Sequence, residues 1–243
     1  MPIFDFKHGW ESFSETLAST FREGVESFLK QHTNADLYIV TGRAGMGKSS
    51  YIKSITGEDV YVGSTLESAT RTTSLVPVVI EGKRCLFLDM PGYNTSDFDD
   101  WDIFHRLMTA MSVLHRYVKF RGVIYVDSME ESRETPAMEK ILTWLLHFCG
   151  EAFMPNVTIV TTKWDGLDDD GIEEKMFRVT QWKNDRLLCP FFDNGAKIYH
   201  HGLVKENGRY KTLSLKKQPD RRQVLARLDI AARYGEPNSL TLR

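Results

Sequence analysis

Short apolar runs alternate along this chain with longer stretches in which apolar residues recur every three or four positions. The runs near 37–41, 75–80, 84–89, 122–127, 156–161 and 196–200 are too short for helices and rich in β-branched and aromatic residues, so they predict strands. The periodic stretches near 48–56, 101–116, 136–149, 171–187 and 220–234 predict helices. Pro77 lacks a ladder donor, which assigns the second run to a sheet edge. Gly82 marks an antiparallel hairpin between the second and third runs, and Gly150 is placed to end the helix before it. Strands alternating with helices predict an α/β fold, a three-layer, doubly wound, mostly parallel sheet.

The two ends read differently. Phe13, Leu17, Phe21, Val25 and Phe28 recur at helical spacing behind a capping box of Ser12 and Glu15. This amphipathic helix reads as a strut packed on the sheet, with a partner-binding or membrane-surface helix as the alternative. Residues 202–219 are polar and basic with Gly and Pro, an inserted loop or hairpin before the last helix. Lys216, Lys217, Arg221 and Arg222 form a basic cluster there, read as a solvated helix start, or alternatively as a contact for acidic lipid or protein. The expected division is an N-terminal helix over 1–34, a core domain over 35–201, and a basic loop with a C-terminal helix packing on the core over 202–243.

Composition narrows the function classes. At 243 residues and 42% hydrophobic content, one large α/β domain with terminal additions is expected. A formal charge of −2 and a pI near 6.4 provide no global field for nucleic acid, so none is expected as partner. The three cysteines, Cys85, Cys149 and Cys189, are odd in number and far apart, and they share no metal-ligand spacing with the seven histidines. They read as reduced thiols of a cytoplasmic protein. No signal peptide, transmembrane run or lipidation motif is recognised.

The chemistry lies between the predicted elements. Gly42, Arg43, Ala44, Gly45, Met46, Gly47, Lys48 and Ser49, followed by Ser50, match the phosphate-binding pattern G-x-x-x-x-G-K-[ST] between a strand and a helix. Glycines let backbone N–H groups converge on phosphate oxygens, and the helix adds its positive end. Lys48 is expected to reach the terminal phosphates and Ser49 to hold Mg2+. Asp89-Met90-Pro91-Gly92 has the form D-x-x-G, where Asp89 would hold the metal through a water and the Gly92 N–H would contact the γ-phosphate. Thr162-Lys163-Trp164-Asp165 follows a strand and has the form [NT]-K-x-D. A carboxylate there accepts from guanine N1–H and its exocyclic amine together, a donor pair that adenine lacks. The Lys163 stem can cover one face of the base. In this order the three motifs predict GTP and GDP rather than ATP as ligands.

On these residues, on Ser68-Ala69-Thr70-Arg71-Thr72, and on Phe148-Cys149-Gly150-Glu151-Ala152 running into 157–165, the chain resembles the septin, AIG1/IMAP and Toc group of P-loop GTPases. The resemblance spans about 37–201 and implies a G domain. It implies that Thr70 is the threonine that closes over γ-phosphate and Mg2+, where the pattern alone left Thr65, Thr70, Thr72 and Thr73 equal. It also implies homodimerisation across the nucleotide face. The chain departs from the pattern in two places. Met90 stands where the group usually has threonine, and no S-A-K loop is recognisable near Ile198-Tyr199-His200-His201, so His200 or His201 is the candidate to border the base.

Hydrolysis requires an oriented water and stabilised phosphate charge. Tyr93 follows Gly92 where a water-orienting glutamine would stand, so slow hydrolysis by the monomer is expected. Arg43 or Arg71 is the candidate charge-stabilising finger, in cis or across a dimer, with a solvent-facing arginine as the alternative. Two readings follow: a GTP-hydrolysing switch, and a slowly or non-hydrolysing GTP-binding assembly module of septin-like type.

Overall fold

The computed structural model describes residues 28–30, 32–57, 74–93, 100–130 and 135–234. The predicted N-terminal helix over 12–28 lies almost wholly outside the described residues. Six strands form the main sheet: β1 (Asp36–Thr41), β2 (Ser74–Ile80), β3 (Lys83–Asp89), β4 (Lys119–Ser128), β5 (Val157–Thr162) and β6 (Lys197–His200). Their order is β2-β3-β1-β4-β5-β6. β2 runs antiparallel to β3, and every other pairing is parallel. Pro77 therefore lies in an edge strand, as its missing donor requires.

The helices are α1 (Lys48–Thr56), α2 (Asp100–Leu114), α3 (Pro136–Cys149), α4 (Asp169–Gln181), α5 (Cys189–Asp193) and α6 (Pro219–Tyr234). The strands read as unbroken apolar runs because both of their faces are covered. In β1, Leu37 and Ile39 join a core with Ile103 and Leu107 of α2 and Ile141 and Leu142 of α3. Tyr38 and Val40 face the other way, toward Tyr51, Ile52 and Ile55 of α1 and Ala226, Ile230 and Tyr234 of α6. The result is a mostly parallel sheet between two helical layers, the α/β fold predicted.

α6 also completes the end of α1. Arg227 Nε donates to the Ile55 carbonyl at 2.7 Å, one of the acceptors a helix terminus leaves open. α3 begins where Thr135 Oγ1 accepts from the Met138 N–H at 3.2 Å, and it ends at Gly150.

One feature differs from expectation. The predicted helix over 171–187 stops at Gln181. Asp185 causes the break: its Oδ1 accepts from the N–H groups of Leu187 and Leu188 at 2.8 and 3.0 Å, offering the backbone an alternative to the helix. The inserted segment before α6 is a hairpin of β7 (Leu203–Glu206) and β8 (Arg209–Thr212), joined through Asn207-Gly208.

Candidate functional site

β3, β1 and β5, with β4 between the last two, end at the same edge of the sheet, at the crevice where open α/β sheets place their ligands. β1 feeds the glycine-rich loop, and α1 starts at Lys48 immediately after it. The Lys48 ammonium is buried and donates to the carbonyls of Gly42 and Arg43 at 3.2 and 2.9 Å. Burial pushes its pKa down to about 8, with Asp89 opposing the shift. A bound anion would favour the charged form of this lysine. Ala44, Gly45, Ser49 and Ser50 are exposed along the loop and the first turn of α1.

Ser49 Oγ donates to Asp89 Oδ2 at 2.7 Å, so the two predicted metal ligands meet. Asp89 is buried, and its Oδ1 has no hydrogen-bond partner. Burial raises its pKa, and the Ser49 hydrogen bond and Lys48 oppose that rise. An orphaned carboxylate oxygen beside a hydroxyl fits a small hard cation. Among the described residues no group of three His, Cys, Asp or Glu side chains could hold a metal alone.

The Asp89–Gly92 turn lies directly on the loop. The Ala44 N–H donates to the Tyr93 carbonyl at 3.0 Å, and the Tyr93 N–H donates to the Gly42 carbonyl at 3.3 Å. A Cβ on Gly92 would stand 2.4 Å from Ala44 Cα, so glycine is required here for the close approach of two backbones. The Tyr93 side chain is buried edge-on against Trp144, at 5.8 Å between ring centroids, and does not face the crevice as a polar group.

β5 delivers the third motif. Thr162 Oγ1 hydrogen bonds to the carbonyls of Met46 and Asp127 at 2.6 and 3.1 Å, tying this motif to the phosphate loop. Trp164 is fully buried, and its Nε1 donates to Thr161 Oγ1 at 3.0 Å. That anchor turns the flanking residues outward. Lys163 pairs with Glu130 at 3.0 Å, and the exposed Asp165 carboxylate lies 3.7 Å from Arg222 Nη1.

Other expected residues are placed differently. Arg43 is buried, with Nη2 3.0 Å from Asp127 Oδ1 and 3.5 Å from Met46 Sδ. This corrects the expectation of a solvent-facing or finger arginine: the nearest fixed negative charge lies under the loop and draws the guanidinium inward. His200 Nδ1 is 2.8 Å from Thr161 Oγ1, its ring stands edge-on to Trp164, and burial pushes its pKa down to about 4. His201 is buried edge-on to Tyr51, both ring nitrogens lack partners, and burial lowers its pKa to about 3. Thr70 and Arg71 lie outside the described residues. Asp127 and Arg222 were missed by motif reading. A buried acid at the end of a predicted strand was a usable signal for Asp127; Arg222, grouped with exposed basic residues, gave none.

Comparison with known proteins agrees with this geometry. The model of the 50S ribosome-binding GTPase family matches residues 38–162. A probable FAD-binding monooxygenase, ltbD, of Aspergillus luteorubrus is 27% identical over 128 residues, covering 52% of this chain and 26% of that protein. GTPase Era of Treponema pallidum is 36% identical over 59 residues, covering 24% of this chain and 18% of Era. The chain thus spans about a quarter or less of the length of these curated relatives. Toc33 from Arabidopsis thaliana, in complex with GDP and Mg2+, superimposes with a TM-score of 0.54 at 16% identity, over 94% of this chain and 95% of that one. A further structure, of the chloroplast translocon components atToc33 and psToc159, in which dimerization is important for the GTPase activity, also has a TM-score of 0.54 at 16% identity, over 94% of this chain and 93% of that one.

Proposed function

The chain belongs to the 50S ribosome-binding GTPase family, and from that premise we propose that it binds GTP and GDP with Mg2+ and hydrolyses GTP slowly as a monomer. The observation that carries the reading is one crevice that gathers three motifs distant in sequence. These are Lys48 on the phosphate loop, the Ser49–Asp89 pair, and Asp165 beyond the Thr162 tie to Met46.

In this reading Lys48 supplies a positive charge to the terminal phosphates and the loop N–H groups supply dipoles. Ser49, Asp89 and Thr70 would hold Mg2+, which when bound neutralises charge developing on the phosphate oxygens. Asp165 accepts from the guanine edge, and Gly92 reports the γ-phosphate to the segment that follows it. Tyr93 is committed to the core against Trp144, so no side chain at that position orients water. This favours low turnover by one copy and keeps a slowly hydrolysing assembly module as the second reading. The finer assignment, to the septin, AIG1 and Toc group, is supported by the motif blocks and by a fold like that of Toc33. Dimerisation across the nucleotide face would exclude water from the site and bring a second copy's charge to it. Arg71 remains the candidate for that charge, because Arg43 is occupied by Asp127.

Calorimetric titration with GTP, GDP and ATP tests the ligand. Phosphate release measured across a range of protein concentrations then separates the two readings. Turnover per molecule that rises with concentration supports an assembling hydrolase, and turnover near zero at all concentrations supports the assembly module.

A further inference from the structure

The loop after β6 lacks a recognisable guanine-contact sequence, and the two histidines there are turned to other uses. His201 packs on Tyr51, and His200 is taken up by Thr161 and Trp164. What stands beside Asp165 comes instead from α6. Arg222 is buried, with 6% of its side chain exposed, and its Nη1 lies 3.7 Å from Asp165 Oδ2.

The guanidinium is held from two sides. Its Nη1 donates to the Leu213 carbonyl at 2.7 Å, and the Leu213 N–H donates to the Gly202 carbonyl at 2.8 Å. Gly202 closes over it, since a Cβ there would stand 2.6 Å from Arg222 Cζ. Any larger residue at 202 would displace the arginine. The hairpin mouth, α6 and the end of the third motif thus meet at one planar cation. The spacing to Asp165 also matters. At 3.7 Å the pair attracts without a hydrogen bond, so the carboxylate keeps its lone pairs for a base. The Asp165 side chain is 37% exposed, while its partner is buried. A guanidinium fixed by packing holds its charge at one side of the acid at little entropic cost.

We propose that Arg222 is a positioning residue for base recognition: held by Leu213 and enclosed by Gly202, it fixes the Asp165 carboxylate in the orientation that distinguishes guanine from a base lacking the 2-amino group. This rests on the guanine-nucleotide reading above. It gives the segment over 202–234 a role in ligand choice beyond covering the sheet.

The test is competition binding of GTP, ITP (which lacks the 2-amino group) and ATP to the full chain, as wild type, Arg222→Gln and Arg222→Lys, each with a thermal melt. In Arg222→Gln the preference for GTP over ITP should fall about tenfold, with ITP losing less affinity than GTP because its base offers Asp165 the N1–H alone. Arg222→Lys keeps the charge but loses the fork, and its preference should fall by an intermediate factor of about three. If Arg222→Gln does not fold, the Arg222→Lys ratio decides. A folded variant that loses GTP and ITP equally, so that the preference is unchanged, overturns the inference. A wild type that does not prefer GTP to ATP overturns the guanine reading itself, an outcome distinct from an unchanged ratio in the variants.

Discussion

Lys48 and Arg43 neighbour each other on one loop, yet their environments separate them. Lys48 bonds only backbone carbonyls and stands beside the exposed face of the loop, so a phosphate can recruit it. Lys48→Ala should retain the fold and lose about 10- to 100-fold in GTP affinity by calorimetry, the loss of a charge-assisted phosphate contact. Arg43 forms an ion pair with Asp127, both side chains being under a tenth exposed. Asp127→Asn removes the carboxylate that faces the buried Arg43 guanidinium and should cost about 3–5 kcal/mol in urea unfolding. Replacing both partners by Met and Leu should recover most of that loss. The histidines give a pH signature. His200 and His201 have folded pKa values of about 4 and about 3 against 6.5 unfolded. Between these limits the unfolded chain binds more protons, so their stabilising effect is present above pH 6.5 and is lost as pH falls toward 4. Asp89 and Asp229, whose carboxyl pKa values burial raises, act in the opposite sense at lower pH. His201→Phe should flatten the decline seen in unfolding midpoints between pH 7 and pH 5.

The motif residues were legible because their chemistry depends on local spacing. Gly42 through Ser49, Asp89 to Gly92 and Thr162 to Asp165 each lie within one turn of chain. The partners Asp127 and Arg222 were not, because they reach the site through tertiary packing. The elements follow the same division. β1, β3, β4 and β5 were readable because buried parallel strands send alternate residues into two cores. The end of α4 was not, since it turns on Asp185 capping its own successors rather than on loss of periodicity. α6 was expected as a helix packing on the core, and in the structure Ile230 and Tyr234 seal the face of β1 that carries Tyr38. Ile230→Ala should therefore cost about 2–4 kcal/mol by urea denaturation, as for any large-to-small change in a close-packed core. A surface helix end would cost almost nothing.

At the scale of the whole molecule, the sheet brings three loops to one edge, and α6 sets Arg222 beside Asp165 there. Tyr93 is taken up by the core and cannot orient water, so under the proposed dimer mechanism specific hydrolytic activity should rise with protein concentration while nucleotide affinity stays constant. Sedimentation with GDP and with a non-hydrolysable GTP analogue should show the larger species with the analogue. The central claim is narrower than this: Lys48, Ser49, Asp89 and Asp165 form one guanine-nucleotide site. Titration calorimetry of the full chain with GTP and ATP in the presence of Mg2+ tests it most directly. The account predicts saturable binding of one GTP per chain, with ATP weaker by about 100-fold or more. Equal affinity for the two nucleotides, or no binding of either, would contradict it.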